Sequence, residues 1–209
     1  MYSDSPELNE EYRRLCLAVG HLMVGFSRLE SVMTTILKLH LALNMGEHKD
    51  KRALAISSAI YGSMRYTASR DTMKRLIIPE RVAKHKVDFL TKLFAQIGEI
   101  QIFRDRIAHQ LMTPSTRDLG GFWQINDMVT TRNVAEPKIW VFDTEVVMKV
   151  ANDIVKISNR IGSVDVTATL FSGDMDLSPI SWQYKPSMLK LIPHDKLKIP
   201  PEQQPQPES

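Results

Sequence analysis

Apolar residues recur at spacings of four and three from the start of the chain: Leu8, Tyr12, Leu15, Val19, Leu22, Phe26, Leu29, Met33, Ile36 and Leu43. Only His40 interrupts the set, and it reads as a hydrogen-bonded core or interface histidine. This period draws one stripe along a helix of roughly 35–40 residues, about 55 Å long at about 1.5 Å per residue. Ser5-Pro6-Glu7 suits its first turn: a hydroxyl able to cap, a proline already set at the helical φ, and an acid near the positive end of the dipole. Asn44-Met45-Gly46 is the matching stop. A helix this long suits a bundle or a dimer seam. Gly20 and Gly25 within it point to a kink or a close helix contact.

The pattern then breaks and restarts. A second helix is expected from about 49, using Leu54, Ile56 and Ile60 up to Gly62. A third is expected over 63–78, ended by Pro79. A fourth starts near 81 and carries Val82, Phe89, Leu93, Ile97, Ile100, Ile107 and Leu111 as far as Thr113-Pro114. The texture changes at GFWQIND and KIWVFD, short β-branched and aromatic runs with MVTTRN between them, which predict two or three strands. Asp143-Thr144 offers a cap for a fifth helix with Val147, Val150, Ile154, Ile157 and Ile161 on one side. After Gly162 the period fails; VTATLF and SWQYK are candidate short strands. The final PPEQQPQPES is too polar and proline-rich to pack.

The expected fold is therefore all-α: a helical bundle of four to five helices with a long N-terminal helix, a small β-hairpin insertion and an irregular, loosely attached C-terminal extension. The expected boundaries are 1–162 for the bundle, with the insertion at about 120–142, then 163–199 for the extension and 200–209 for a disordered tail. A chain of 209 residues suits one sizeable core with a tail. One cysteine, Cys16, excludes an internal disulfide or a cysteine metal cage, and its apolar setting suggests an inert core thiol. No run of about 18 apolar residues is present and the polar start is not a secretory signal, so a cytoplasmic protein without a membrane partner is expected.

Charge adds one feature. The net charge is only +3, yet residues 65–86 hold seven basic side chains against two acidic ones, Asp71 and Glu80. Arg65, Arg70, Lys74 and Arg75 in that window read either as a footprint for a phosphate backbone or as a solvated face with Asp71 and Arg75 paired one turn apart.

Most catalytic parts are missing. No phosphate-cradling glycine loop, zinc-binding HExxH or GxSxG elbow occurs, and none of the six histidines pairs with a cysteine at ligand spacing. No metal and no cofactor is expected. What remains is FRDRIAHQ, residues 103–110. Asp105 and His109 stand one turn apart, where the carboxylate can orient the imidazole. Arg104 and His109 are five residues apart, a rotation of about 140°, so they meet on one phosphate only through a distorted helix end or a second copy of the chain. Such a set suits metal-free RNA cleavage. The ribose 2′-hydroxyl attacks its own phosphorus, histidine moves the protons near neutral pH, and the guanidinium fork stabilises the charge on the non-bridging oxygens.

An arginine, a polar residue directly after it, and a histidine near a helix end resemble the signature of the HEPN superfamily (higher eukaryotes and prokaryotes nucleotide-binding domain). Arg104, Asp105 and His109 fill its three places, and Thr113-Pro114 ends the helix behind them. GFSRLE, residues 25–30, is similar to the first helix of small bacterial members, with Glu30 in the glutamate position. Arg14 and His21 match a longer spacing but lack the context, since Leu15 follows the arginine. The resemblance covers about residues 10–160 and implies a helical homodimer with the motifs facing each other. It further implies a metal-independent endoribonuclease, toxin-like or defence-related, with RNA as substrate and an antitoxin or regulatory protein as a further partner. Arg104 would grip the phosphate, His109 would be the general acid and base, and Asp105, Arg106 and Glu30 would support them. Other members have lost catalysis and only bind, so a catalytically inactive dimer holding nucleic acid or a protein is the alternative.

Overall fold

A computed structural model describes residues 6–44, 51–62, 64–77, 84–115, 121–127, 138–163 and 176–192. Most of them are helical: α1 (Pro6–Asn44), α2 (Lys51–Tyr61), α3 (Tyr66–Ile77), α4 (Lys84–His109) and α5 (Thr144–Gly162). Four short strands, β1 (Met112–Pro114), β2 (Trp123–Asp127), β3 (Lys138–Phe142) and β4 (Lys190–Ile192), form one antiparallel sheet in the order β1-β2-β3-β4.

α1 is a single helix of 39 residues, with Pro6 and Glu7 in its first turn. Its buried line runs through Leu15, Ala18, Leu22, Phe26, Leu29, Met33 and Ile36. α5 lies along it, and α2, α3 and α4 also pack on it. Among the described residues α1 is the one helix long and apolar enough to cross a membrane, but its most apolar line is covered by this packing. A methyl added at Gly25 would stand 3.2 Å from Ile154 Cγ2, so this glycine lets α1 and α5 approach closely. Gly20 faces open space and plays no such part. Cys16 is exposed rather than a core thiol, because it falls one residue past Leu15 on the far side of the stripe. His40 is half-buried, and burial pushes its imidazole below 6.5.

α4 ends at His109, earlier than its apolar pattern suggests. Met112-Thr113-Pro114 instead pairs with β2, joining Met112 to Ile125 and Pro114 to Trp123. Thr and Pro disfavour a helix interior, and β1 is an edge strand, where a residue without an N–H is tolerated. β2 and β3 carry the expected GFWQIND and KIWVFD runs, with Trp123 against Phe142 and Ile125 against Trp140. The MVTTRN and VTATLF segments lie outside the described residues, as do Ser5, Met45-Gly46 and the 200–209 tail.

α5 buries Val147, Val150, Ile154, Ile157 and Ile161, as its period demands. Asp143 precedes it in extended conformation but caps nothing with its side chain; the carboxylate accepts the Phe122 N–H at 3.0 Å instead. Thr144 is a junction. Its buried hydroxyl accepts from Trp123 Nε1 at 3.0 Å and donates to Glu11 Oε1 at 2.5 Å, fastening β2 and α5 to the start of α1.

Residues 176–192 are firmly seated, which corrects the expectation of a loosely attached extension. SWQYK takes no regular form, and the strand lies further on, where Leu191 pairs with Trp140 and Ile192 with Ile139. Tyr184 and Leu189 enter the core. The cause is Asp153 of α5, which is fully buried. Its carboxylate accepts from the Gln183 and Tyr184 backbone N–H groups at 2.9 Å and from Lys156 Nζ at 3.1 Å. Arg160 adds an ion pair to Asp176 and holds the Ser178 carbonyl and hydroxyl. The guanidinium holds the Asp176 carboxyl far below the usual carboxylate range.

Candidate functional site

Phe103 and Ile107 fix how the last turns of α4 sit. Both are buried one turn apart, and Phe103 meets Phe142 edge-on at 6.3 Å and Tyr184 at 5.4 Å. The residues between them are thereby turned to opposite flanks. Arg104 leans toward α1, its guanidinium 5.1 Å from the Phe26 ring centre. Arg106 lies on the sheet side over Trp140, at 4.3 Å. Arg106 is thus a packing residue, half-buried in a cation–π contact rather than solvated.

Arg104 is the centre of the cluster. Its side chain is 31% exposed, and Nη1 pairs with Asp105 Oδ1 at 2.9 Å. Its Nε is buried with no hydrogen-bond partner among the described residues. The Asp105 carboxylate therefore serves the arginine beside it, and no ion pair joins it to His109 among the described residues. His109 is exposed at the helix end. The Gln110 N–H still bonds the Arg106 carbonyl at 3.0 Å, so the turn holding His109 keeps helical hydrogen bonding. Within one chain Arg104 and His109 therefore stand on different sides of α4, about 140° apart.

Glu30 reaches the same neighbourhood from α1. No ion pair links it to Arg104 among the described residues; the charges of both act on the Tyr66 hydroxyl without bonding to it. Tyr66 opens α3 and packs on Phe26 with ring centres 4.6 Å apart. Burial pushes its hydroxyl well above the usual tyrosine range; Arg70 pulls it down, Glu30 and Asp105 push it further up, and Arg104 opposes them. Beside this ring lies a cavity of about 300 Å³, lined by Glu30, Thr34 and Lys38 of α1 and by Met64, Tyr66 and Ser69. The Tyr66 and Ser69 hydroxyls are buried and have no hydrogen-bond partner among the described residues.

The basic window divides. Arg65, Lys74 and Arg75 are exposed. Arg70 is not available to a phosphate in the same way: it holds Asp71 through Nε and Nη2 at 3.0 and 2.9 Å and Gln101 of α4 at 2.8 Å. Asp71 pairs with this neighbour, not with Arg75 as the helical spacing suggested. Arg81 lies outside the described residues.

Sequence reasoning reached Arg104, Asp105 and Glu30 but missed Phe26, Tyr66, Ser69 and Gln101 as members of the cluster. Phe26 belongs to the buried stripe of α1 and also meets Arg104 through its ring, and the other three sit on helices whose mutual placement no local spacing encodes. Among the described residues no group of three or more His, Cys, Asp or Glu side chains is arranged to hold a metal ion. Compared with known proteins, the chain matches no family model, no curated protein and no solved structure.

Proposed function

We propose that this chain is a metal-independent endoribonuclease of HEPN type, toxin-like or defence-related, whose site is completed by a second copy of the chain. The observation that carries this reading is the end of α4. An arginine with an Nε unpartnered among the described residues lies against Phe26 of α1 and pairs with Asp105 beside it, and an exposed imidazole stands about one and a half turns further on. Because the two diverge around one helix, the phosphate gripped by Arg104 of one copy meets His109 of its partner across a two-fold axis.

The chemistry needs no external oxidant or co-reactant. A neutral imidazole takes the proton of the ribose 2′-hydroxyl, whose oxygen bonds to phosphorus. The bond from phosphorus to the 5′-oxygen breaks, and that oxygen receives a proton from an imidazolium, leaving a 2′,3′-cyclic phosphate and a 5′-hydroxyl. The Arg104 fork stabilises the charge that builds on the non-bridging oxygens, and Asp105 keeps the fork aimed.

The test is RNA cleavage in excess EDTA by the full chain. His109→Ala is expected to lower the rate by about 10²–10⁴-fold with an unchanged circular dichroism spectrum, since general acid–base catalysis carries that much and the residue is exposed. Undiminished cleavage by the variant, or inactivity of the wild type on every RNA tried, overturns the proposal. One observation favours the alternative of a non-catalytic binder: Arg65 just before α3 and Lys74 and Arg75 in its last turn are each exposed. In that case the wild type holds RNA without cutting it, and Lys74→Glu with Arg75→Glu abolishes the binding and its salt dependence.

A further inference from the structure

The cavity beside α1 runs along one face of that helix. Glu30, Thr34 and Lys38 recur there every four residues, with Ser31 and Thr35 in the row beside them. Its two charged groups have opposite signs and stand two turns apart, about 12 Å along the axis at about 1.5 Å per residue. They do not pair with each other, and neither makes an ion pair or a hydrogen bond among the described residues. Both are half-buried, so each has given up part of its water without gaining a partner. Each is also set in place by its surroundings. Lys38 Nζ comes within 3.9 Å of where a methyl on Gly62 would stand, at the C-terminal end of α2, whose last turn has no basic residue of its own. Glu30 lies near enough to Tyr66 for its charge to act on that hydroxyl.

We propose that this cavity binds a short peptide of about three residues with both ends free, its terminal ammonium at Glu30 and its terminal carboxylate at Lys38. The inference goes beyond the ribonuclease reading and does not depend on it. The signs select the class of ligand. A simple anion is repelled by Glu30 and a simple cation by Lys38, whereas a molecule with one charge of each sign satisfies both. The spacing selects the length. An extended chain gains at most about 3.3–3.6 Å per residue, so three residues span about 10 Å, and the two anchoring side chains cover the remainder. A single amino acid carries both charges on one carbon and reaches only one anchor. Between its ends a peptide presents N–H and C=O groups, and the hydroxyls of Ser31, Thr34 and Thr35 can accept from the one and donate to the other. Ser31 and Thr35 are exposed, so this row is open to an incoming ligand. Met64, which also lines the cavity, offers small side chains an apolar surface. At about 300 Å³ the space lies at the lower end of small-ligand pockets, in keeping with a ligand of this size.

The test is calorimetry on the full chain with trialanine, its N-acetylated and C-amidated forms, and free alanine. Trialanine is expected to bind, and blocking either end, or shortening to alanine, weakens binding by at least about tenfold. Glu30→Gln and Lys38→Met each weaken trialanine binding by a similar factor. The losses do not add: Glu30→Gln becomes indifferent to acetylation of the peptide and Lys38→Met to its amidation, which fixes the direction in which the peptide lies. Ser27→Ala, exposed on α1 and outside the cavity, changes nothing. Melting curves establish that each variant folds; where one anchor variant does not, the other and the blocked peptides carry the test. No binding of trialanine, equal affinity for its blocked forms, or indifference to both anchor substitutions overturns the inference. Indifference to acetylation in Lys38→Met rather than in Glu30→Gln overturns the assigned direction. No RNA is present in these titrations, so their outcome and that of the cleavage test are read separately.

Discussion

Asp153 is a carboxylate cut off from water, and each of its oxygens has a donor. Replacing it with alanine strands the Gln183 and Tyr184 N–H groups and deprives Lys156 of its buried partner. Removing one member of a buried charged pair costs about 3–5 kcal/mol, so Asp153→Ala is expected to lose that much in urea unfolding. Asp153→Asn, which offers an amide where donors already crowd, is expected to lose less but still measurably, with faster hydrogen exchange at residues 183 and 184. Nothing in the sequence marks this residue. An aspartate between Asn152 and Ile154 on an amphipathic helix reads as a boundary position, and its partners are some thirty residues on. Arg104 was legible for the opposite reason: its chemistry is local, with Asp105 and His109 in the same two turns. What locality could not supply was which way the turns face, since that depends on Phe103 finding Phe142 and Tyr184.

Helices and strands were legible to the extent that their own periods decide them. The stripe of α5 emerges residue for residue and that of α1 from Leu15 to Ile36, because each helix is long and buries one side, whereas Tyr12 near the start of α1 is 41% exposed. The end of α4 did not, since Leu111 continues the apolar spacing yet is 69% exposed. There a strand partner, β2, outweighs helical spacing at Met112-Thr113-Pro114. β4 was missed because three residues with only Ile192 buried carry no alternation to read. The two glycines of α1 give a paired prediction on the element itself. Gly20→Ala meets no neighbour and removes a flexible residue from a helix interior, so it is expected to stabilise by up to about 1 kcal/mol. Gly25→Val drives carbon into the fully buried Ile154 and is expected to destabilise by about 1–3 kcal/mol. Urea midpoints for the two variants, moving in opposite directions, check the α1–α5 seam.

For the whole molecule, the C-terminal segment is a structural member rather than an appendage. It adds β4 to the sheet, places Tyr184 and Leu189 in the core and supplies the donors that Asp153 needs. Ending the chain after residue 175 would strip β3 of its outer partner and uncover a charged group in the core. Such a chain is expected to lose most of the roughly 5–15 kcal/mol that holds a domain together and to melt without a cooperative transition. A sharp melt within a few degrees of the full chain would contradict this account. The pairing of α1 with α5 also sets a schedule. The first helix leaves the ribosome long before the helix that shelters it: about a hundred residues separate them, or on the order of 5–20 s at about 5–20 residues per second. Throughout that interval Leu22, Phe26 and Leu29 lack their final cover, so the newborn chain carries an open apolar stripe until its last third is made.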